Sequence, residues 1–266
     1  MTPMYGKEQA LVQTIFLKKL YYRLIGTAHI GERRRFHTLC QALDQLGLAR
    51  HKRVLNAGSG NGGHSFYLAG KYPHLKITNV EIDERKIANC RRILEKTRLF
   101  NLEFVRADLL ALKFDQEFDF IFTVHVLEHI QEDETVLAHL FQALKPKGRL
   151  LVYVPAVKKR DAHSIFNNRL AQERRKIFEE DFGHVRAGYL KEELEEKLNK
   201  AGFKVCELRQ AGSQVGQWAS DIGALLGENY SLKVLIYPFL FFLVWLEKHL
   251  GPSEGSGSDW IALAER

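Results

Sequence analysis

Val54-Leu55-Asn56-Ala57-Gly58-Ser59-Gly60-Asn61-Gly62-Gly63 reads as an apolar strand that breaks into a glycine-rich turn and runs on into a helix. Glycines at 58, 60 and 62 reach backbone angles denied to other residues, and their missing side chains leave room for a nucleotide-like ligand against the first amides of the helix. The string also meets the G-x-G-x-x-G spacing of dinucleotide binders, so the turn alone does not choose among nucleotide ligands. After a helix from His64 to Lys71, the segment Lys76 to Glu81 reads as a second buried strand. It ends in an acid about 20 residues beyond the turn, where a ribose-binding carboxylate belongs. A helix from Glu84 to Arg98 and a third strand from Leu102 to Arg106 lead to Asp108, a short side chain able to accept from an adenine amino group.

With NAGSGNGG, ITNVEID, FVRADLLAL, FDFIFTVHVLEHI and LKPKGRLLVYVP in this order, the chain resembles the class I S-adenosylmethionine-dependent methyltransferases, in particular the bacterial small-molecule and ubiquinone-pathway group, from about Val54 to Val154. The resemblance implies an α/β, Rossmann-like sheet of seven mostly parallel strands with an antiparallel last strand and helices on both faces. It also implies a cofactor site: Gly58, Ser59, Gly60 and Gly62 lining the methionine and ribose part, Glu81 with Ile82 at the ribose, Asp108 with Leu109 framing the adenine, and Thr123 at the fourth strand. Asn56 departs from the pattern, because the family usually has Asp or Glu there; it can still hydrogen-bond the turn but carries no charge.

The same likeness sets the expected organisation. Residues 1–52 form a basic, apolar helical arm or cap; 53–210 with 258–266 form the S-adenosylmethionine-binding domain; 211–257 form a hydrophobic insertion between the sixth strand (Phe203 to Leu208) and the seventh (Trp260 to Ala264). At 266 residues and 45% hydrophobic, the chain can bury a substantial core. Three widely spaced cysteines, Cys40, Cys90 and Cys206, and no secretory signal point to a reducing cytoplasmic compartment rather than a disulfide framework.

The formal charge of +7 is concentrated at one end, since residues 1–52 hold nine Lys/Arg against three Asp/Glu, leaving 30 against 29. Lys18, Lys19 and Arg23 interleave with apolar side chains, and Arg33-Arg34-Arg35 follows, a composition suited to anionic lipid or nucleic acid, or to a cap helix packed on the domain. A second greasy stretch, Val234 to Leu246, has thirteen uncharged residues and five aromatics. As a helix it would be about 20 Å long, too short to span a bilayer, and Pro238 is expected to interrupt it. A peripheral contact with the inner face of a membrane through 231–250 and the arm, a hydrophobic acceptor channel, and a core or dimer helix are the options. Homo-oligomerisation is left open.

His125-Val126-Leu127-Glu128-His129 follows the fourth strand at the ligand-facing end of the sheet. Its H-x-x-E-H spacing matches inverted zinc peptidases, yet here it crosses a strand-to-helix turn rather than lying on one helix face. The ubiquinone-pathway O-methyltransferases and small-RNA 2′-O-methyltransferases that this stretch resembles often carry Glu at the position of His125, and the resemblance implies His125, Glu128 and His129 as a divalent-metal candidate that is not favoured over helix-start and packing roles. Pro155 to Tyr189 is the expected substrate loop, with His163, Arg174, Arg175, His184, Arg186 and Tyr189. His125 and His184 are the candidate proton acceptors.

The expected function is methyl transfer from S-adenosylmethionine to a hydroxyl of a hydrophobic or lipid-linked small molecule near a membrane surface. Three alternatives stand beside it. A nicotinamide-dependent oxidoreductase explains the turn and Glu81 but lacks an evident Tyr-x-x-x-Lys pair. An RNA methyltransferase would use the basic arm, although no Asn-Pro-Pro-Tyr-like motif follows the fourth strand. A non-catalytic cofactor-binding scaffold rests on Asn56 alone.

Overall fold

Alternating apolar strands and amphipathic helices assemble into one sheet in the computed structural model, which describes residues 6–24, 26, 29–157, 185–226, 230–250 and 257–266. Strands β1 (Arg53–Ala57), β2 (Lys76–Glu81), β3 (Leu102–Arg106), β4 (Phe118–Val124), β5 (Leu144–Pro155), β6 (Lys204–Ala211) and β7 (Asp259–Glu265) form a seven-stranded sheet in the order β3-β2-β1-β4-β5-β7-β6. β1 to β5 pair in parallel, while β7 runs antiparallel between β5 and β6. The central strands are apolar on both faces because helices cover both. Val54, Phe120, Phe122, Leu151 and Tyr153 enter one core, and Leu55, Ala57, Ile121, Leu150 and Val152 enter the other.

The helices are α1 (Phe16–Leu24), α2 (Ile30–Gln45), α3 (Gly63–Lys71), α4 (Glu84–Leu94), α5 (Asp133–Ala143), α6 (Lys191–Lys200), α7 (Gln214–Leu225) and α8 (Tyr230–Leu250). α4 stops four residues before the expected Arg98. Its last amides turn to carbonyls three residues back, and the Thr97 hydroxyl donates to Leu94 O at 2.9 Å, closing the helix end.

Two expectations for the greasy segments are corrected. Helix α8 runs through Pro238 without ending. Leu240 and Val244 bury themselves against Ile30 of α2 and Ala219 of α7, and this packing holds the helix together despite the missing proline N–H. The Arg33-Arg34-Arg35 triplet is not a surface charge cluster either. Arg33 lies 4.2 Å over the Phe241 ring, and Arg34 is buried between Glu247 and Asp259. Among the described residues no helix is long and apolar enough to cross a membrane.

Candidate functional site

The carboxyl ends of the parallel strands meet at one edge, and the glycine turn between β1 and α3 sits at its centre. Gly58, Gly60 and Gly62 have φ of 78°, 55° and 73°, all in the left-handed region. Their bare Cα positions serve different neighbours. A Cβ on Gly58 would collide with Val126, and one on Gly62 would lie 3.0 Å from the Phe104 ring and 3.1 Å from Cys90 Sγ. Only at Gly60 does a Cβ meet nothing within 4 Å, so of the three expected ligand-facing glycines it alone opens onto free space. The turn is anchored by Gly58 and Ser59 N–H groups donating to Val80 O at 2.9 and 2.8 Å.

Glu81, 8% exposed at the end of β2, accepts from the Gly60 N–H at 2.8 Å. Ile82 beside it is an exposed apolar side chain at the rim. Asp108 caps the short turn after β3 by accepting from Leu110 N–H, whereas Leu109 packs its side chain into the core. Asn56 is buried and donates to Ser65 Oγ at 2.9 Å and Asn79 Oδ1 at 3.3 Å, tying β1 to α3 and β2. Ser59 Oγ and Thr123 Oγ1, at the ends of β1 and β4, are buried with no hydrogen-bond partner. Two orphaned hydroxyls, an open Gly60 and an acid one strand away fit a polar nucleoside ligand laid across the strand ends.

Beyond β4 the chain turns through His125, which takes a left-handed φ of 53° while its N–H donates to Tyr153 O at 2.8 Å. A non-glycine residue held there costs about 1–3 kcal/mol, tolerated where surrounding structure fixes it. The ring lies between two carboxylates, Nδ1 3.1 Å from Glu128 Oε1 and Nε2 3.2 Å from Asp259 Oδ1. Burial and the Arg35 guanidinium oppose the charged ring, but Asp259 and Glu128 outweigh them and hold its pKa above the ordinary value. Asp259 in turn is driven down to about 2: burial works against the anion, and His125, Arg34 and Ser258 overcome it. The Tyr153 ring meets His125 edge-on at 5.3 Å. On the other side, His64 at the start of α3 stacks on Phe36 of α2, and burial, then Arg35 and His125, depress its pKa to about 3.

His129 is exposed, and among the described residues no three His, Cys, Asp or Glu side chains come together to hold a metal. His163, Arg174, Arg175 and His184 lie outside the described residues. Arg186 and Tyr189, expected in the substrate loop, are engaged elsewhere. Both bond the buried Asp133 carboxylate, with Lys197 Nζ on its other oxygen at 2.8 Å, and so pin the chain before α6 to α5.

The family model for a methyltransferase domain matches residues 48–210. The chain belongs to the methyltransferase domain family. Its strand order and motifs are those of the class I S-adenosylmethionine-dependent methyltransferases, and membership of this family sets the nicotinamide alternative aside. It is 30% identical over 134 residues to phosphoethanolamine N-methyltransferase 1 of Triticum aestivum, a match covering 50% of this chain and 26% of that protein. It is 31% identical over 133 residues to the ubiquinone/menaquinone biosynthesis C-methyltransferase UbiE of Erwinia tasmaniensis, covering 46% and 53%. The chain thus spans about half or less of these relatives' length. In fold it is similar to phosphoethanolamine N-methyltransferase 2 of Haemonchus contortus, solved with S-adenosyl-L-methionine, at TM-score 0.53 and 16% identity over 80% of this chain and 48% of that one.

Sequence reasoning missed Asp259, His64, Tyr153 and Arg34 in this methyltransferase. Asp259 had a usable signal: an antiparallel last strand begins at the ligand end of the sheet, so its first residue belongs beside the end of β5, one strand away from the turn that follows β4. The burial of Arg34 inside a basic triplet had none.

Proposed function

We propose that this methyltransferase O-methylates a hydrophobic or lipid-linked acceptor held at an anionic membrane surface, with His125 as the proton acceptor. The observation that carries the reading is a pair of apolar helix faces turned to solvent and flanked by cations. On α8, Leu235, Phe239, Phe242 and Trp245 recur at three- and four-residue spacing and are all more than half exposed. On α1, Phe16, Leu17, Leu20 and Leu24 form a second exposed stripe beside Lys18 and Arg23. Tyr237 of α8 comes close enough to Tyr21 of α1 to help raise its pKa, after burial. Apolar area in the headgroup boundary together with basic side chains is the pattern of an interfacial helix pair.

S-adenosylmethionine supplies an electrophilic methyl group on a sulfonium sulfur. Glu81, Ser59, Gly60, Asp108, Leu109, Ile82 and Thr123 are proposed to hold it, with Gly58, Gly62 and Asn56 shaping the turn. The chain must then align the acceptor and remove its proton. With Nε2 facing Asp259, Nδ1 is the nitrogen that takes the acceptor's proton when it turns from Glu128, and a pKa raised above the ordinary value makes the ring a stronger base toward a hydroxyl. Burial of Arg33 and Arg34 leaves Arg35 alone of the triplet partly open, which weakens the support for an RNA substrate. Cys40, Cys90 and Cys206 form no disulfide among the described residues, which suits a reducing cytoplasmic setting.

The test is transfer of labelled methyl from S-adenosylmethionine to a total lipid extract in phosphatidylglycerol vesicles. Protein-dependent label in the organic phase, carried as a methyl ether, supports the reading. Label found only in water-soluble products contradicts it.

A further inference from the structure

Five buried or nearly buried charged side chains alternate in sign through the molecule. Glu128 faces His125 at 3.1 Å, His125 faces Asp259 at 3.2 Å, and Arg34 lies 3.3 Å from both Asp259 and Glu247. They come from the turn after β4, the start of β7, α2 and α8, so the chain of charges runs from the strand ends to the helical hairpin. Backbone is shaped around it. Gly212, at φ +89°, leaves space that the Arg34 guanidinium fills, and a Cβ on Gly216 would collide with the Glu247 carboxylate. The Ser213 N–H donates to Glu247 Oε1 at 2.7 Å, and Ser258 Oγ donates to Asp259 Oδ2 at 2.5 Å. A staple for the hairpin needs only Arg34 and Glu247. It gives no reason for Asp259 to reach on to a histidine held in a left-handed turn.

We propose that Asp259 is a positioning residue for methyl transfer: it holds the His125 ring at the cofactor edge, and Arg34 holds Asp259, so that seating α2 and the α7/α8 hairpin sets the charge and orientation of His125. This deepens the reading of His125 as proton acceptor and rests on it. Glu128, Asp259, Arg35, His64 and the Tyr153 ring are the groups that face or act on His125 from the surrounding elements. Of these, Asp259 is the one whose own place depends on the hairpin. Burying a carboxylate between two cations is tolerated only while both partners stay, so the arrangement is all-or-none rather than gradual.

The experiment reads the ring directly and needs no acceptor. The full chain, labelled with 13C in its histidine rings and saturated with S-adenosylhomocysteine, is titrated by NMR, with the His125 signal assigned from His125→Gln. The unsubstituted ring should titrate above 6.5. Asp259→Asn, equal in shape but uncharged, should lower that midpoint by about 1–3 pH units, the effect of losing an adjacent opposite charge. Arg34→Gln gives a second arm should Asp259→Asn fail to fold. If Arg34 acts by holding Asp259, its loss lets the carboxylate go and the midpoint falls. If it is only a distant cation, its loss raises the midpoint, and that rise overturns the proposal, as does an unmoved midpoint in either folded variant. A separate assay, labelled-methyl transfer by His125→Gln to the lipid extract in phosphatidylglycerol vesicles, distinguishes the two readings. Full transfer there overturns the proton-acceptor role of His125, whereas lost transfer with an unmoved Asp259→Asn midpoint overturns the positioning role alone.

Discussion

Glu81 Oε2 accepts the Gly60 N–H at 2.8 Å while its other oxygen accepts Ile82 and Asp83 N–H, each at 3.1 Å, so the acid at the end of β2 braces the turn at the end of β1. Removing it loosens the turn as well as the proposed ribose contact. Glu81→Ala should weaken S-adenosylmethionine binding by ~1–3 kcal/mol. Calorimetry on the folded variant is the check, and an unchanged affinity would show that the acid serves neither purpose.

Gly60 and Gly58 should separate binding from folding. Gly60→Ala meets no neighbour and bears only the cost of a left-handed alanine, about 1–2 kcal/mol. Its new methyl group enters the open space where the cofactor is proposed to lie, so affinity should fall far more than stability. Gly58→Ala collides with Val126 in the protein itself and should lower the melting temperature first. Equal profiles for the two, in melting and in calorimetry, would mean that the turn faces the ligand differently.

His64 makes the fold acid-sensitive. Its folded pKa is depressed to about 3 by burial first and then by Arg35 and His125. Unfolded, it titrates at about 6.5. Between these values the unfolded chain binds more protons, so its contribution is complete above about pH 6.5 and is lost as the pH falls. At pH 4 the loss amounts to about 3 kcal/mol. Denaturant midpoints measured from pH 7 to 4 should fall less steeply in His64→Phe; an identical slope removes His64 from the account.

The glycine turn and the acid at the end of β2 were legible from local chemistry, positive φ and strand length, and the antiparallel last strand from the resemblance to the methyltransferases. Other features were not, because they depend on which face of a helix packs inward. Arg33 and Arg34 read as solvated cations in a basic run, yet α8 covers them with Phe241 and Glu247. Pro238 reads as a helix breaker, but Leu240 and Val244 secure the turns after it. His125 was found by its position after β4, while its partner Asp259 lies 134 residues further along the chain, beyond any spacing rule.

The exposed faces of α1 and α8 should bind anionic lipid. Burying even part of Phe239, Phe242 and Trp245 in the headgroup boundary contributes several kcal/mol at roughly 25 cal/mol per Å². The intact chain should float with phosphatidylglycerol vesicles and stay behind with phosphatidylcholine. Changing those three residues to Ser should abolish flotation without unfolding, because none is in the core. Phe241 is left in place, as it packs on Arg33. Recovery of both proteins in the soluble fraction would leave the aromatic face without a lipid role.

The most direct measurement compares methyl transfer to two hydroxyl probes, a long-chain alkylcatechol dispersed in phosphatidylglycerol vesicles and unsubstituted catechol in free solution. The account predicts transfer to the vesicle-bound probe that saturates with lipid, rises with pH through a midpoint above 6.5, and drops by ~10²- to 10⁴-fold in His125→Ala. Equal rates on the two probes, independent of vesicles and of His125, would contradict it.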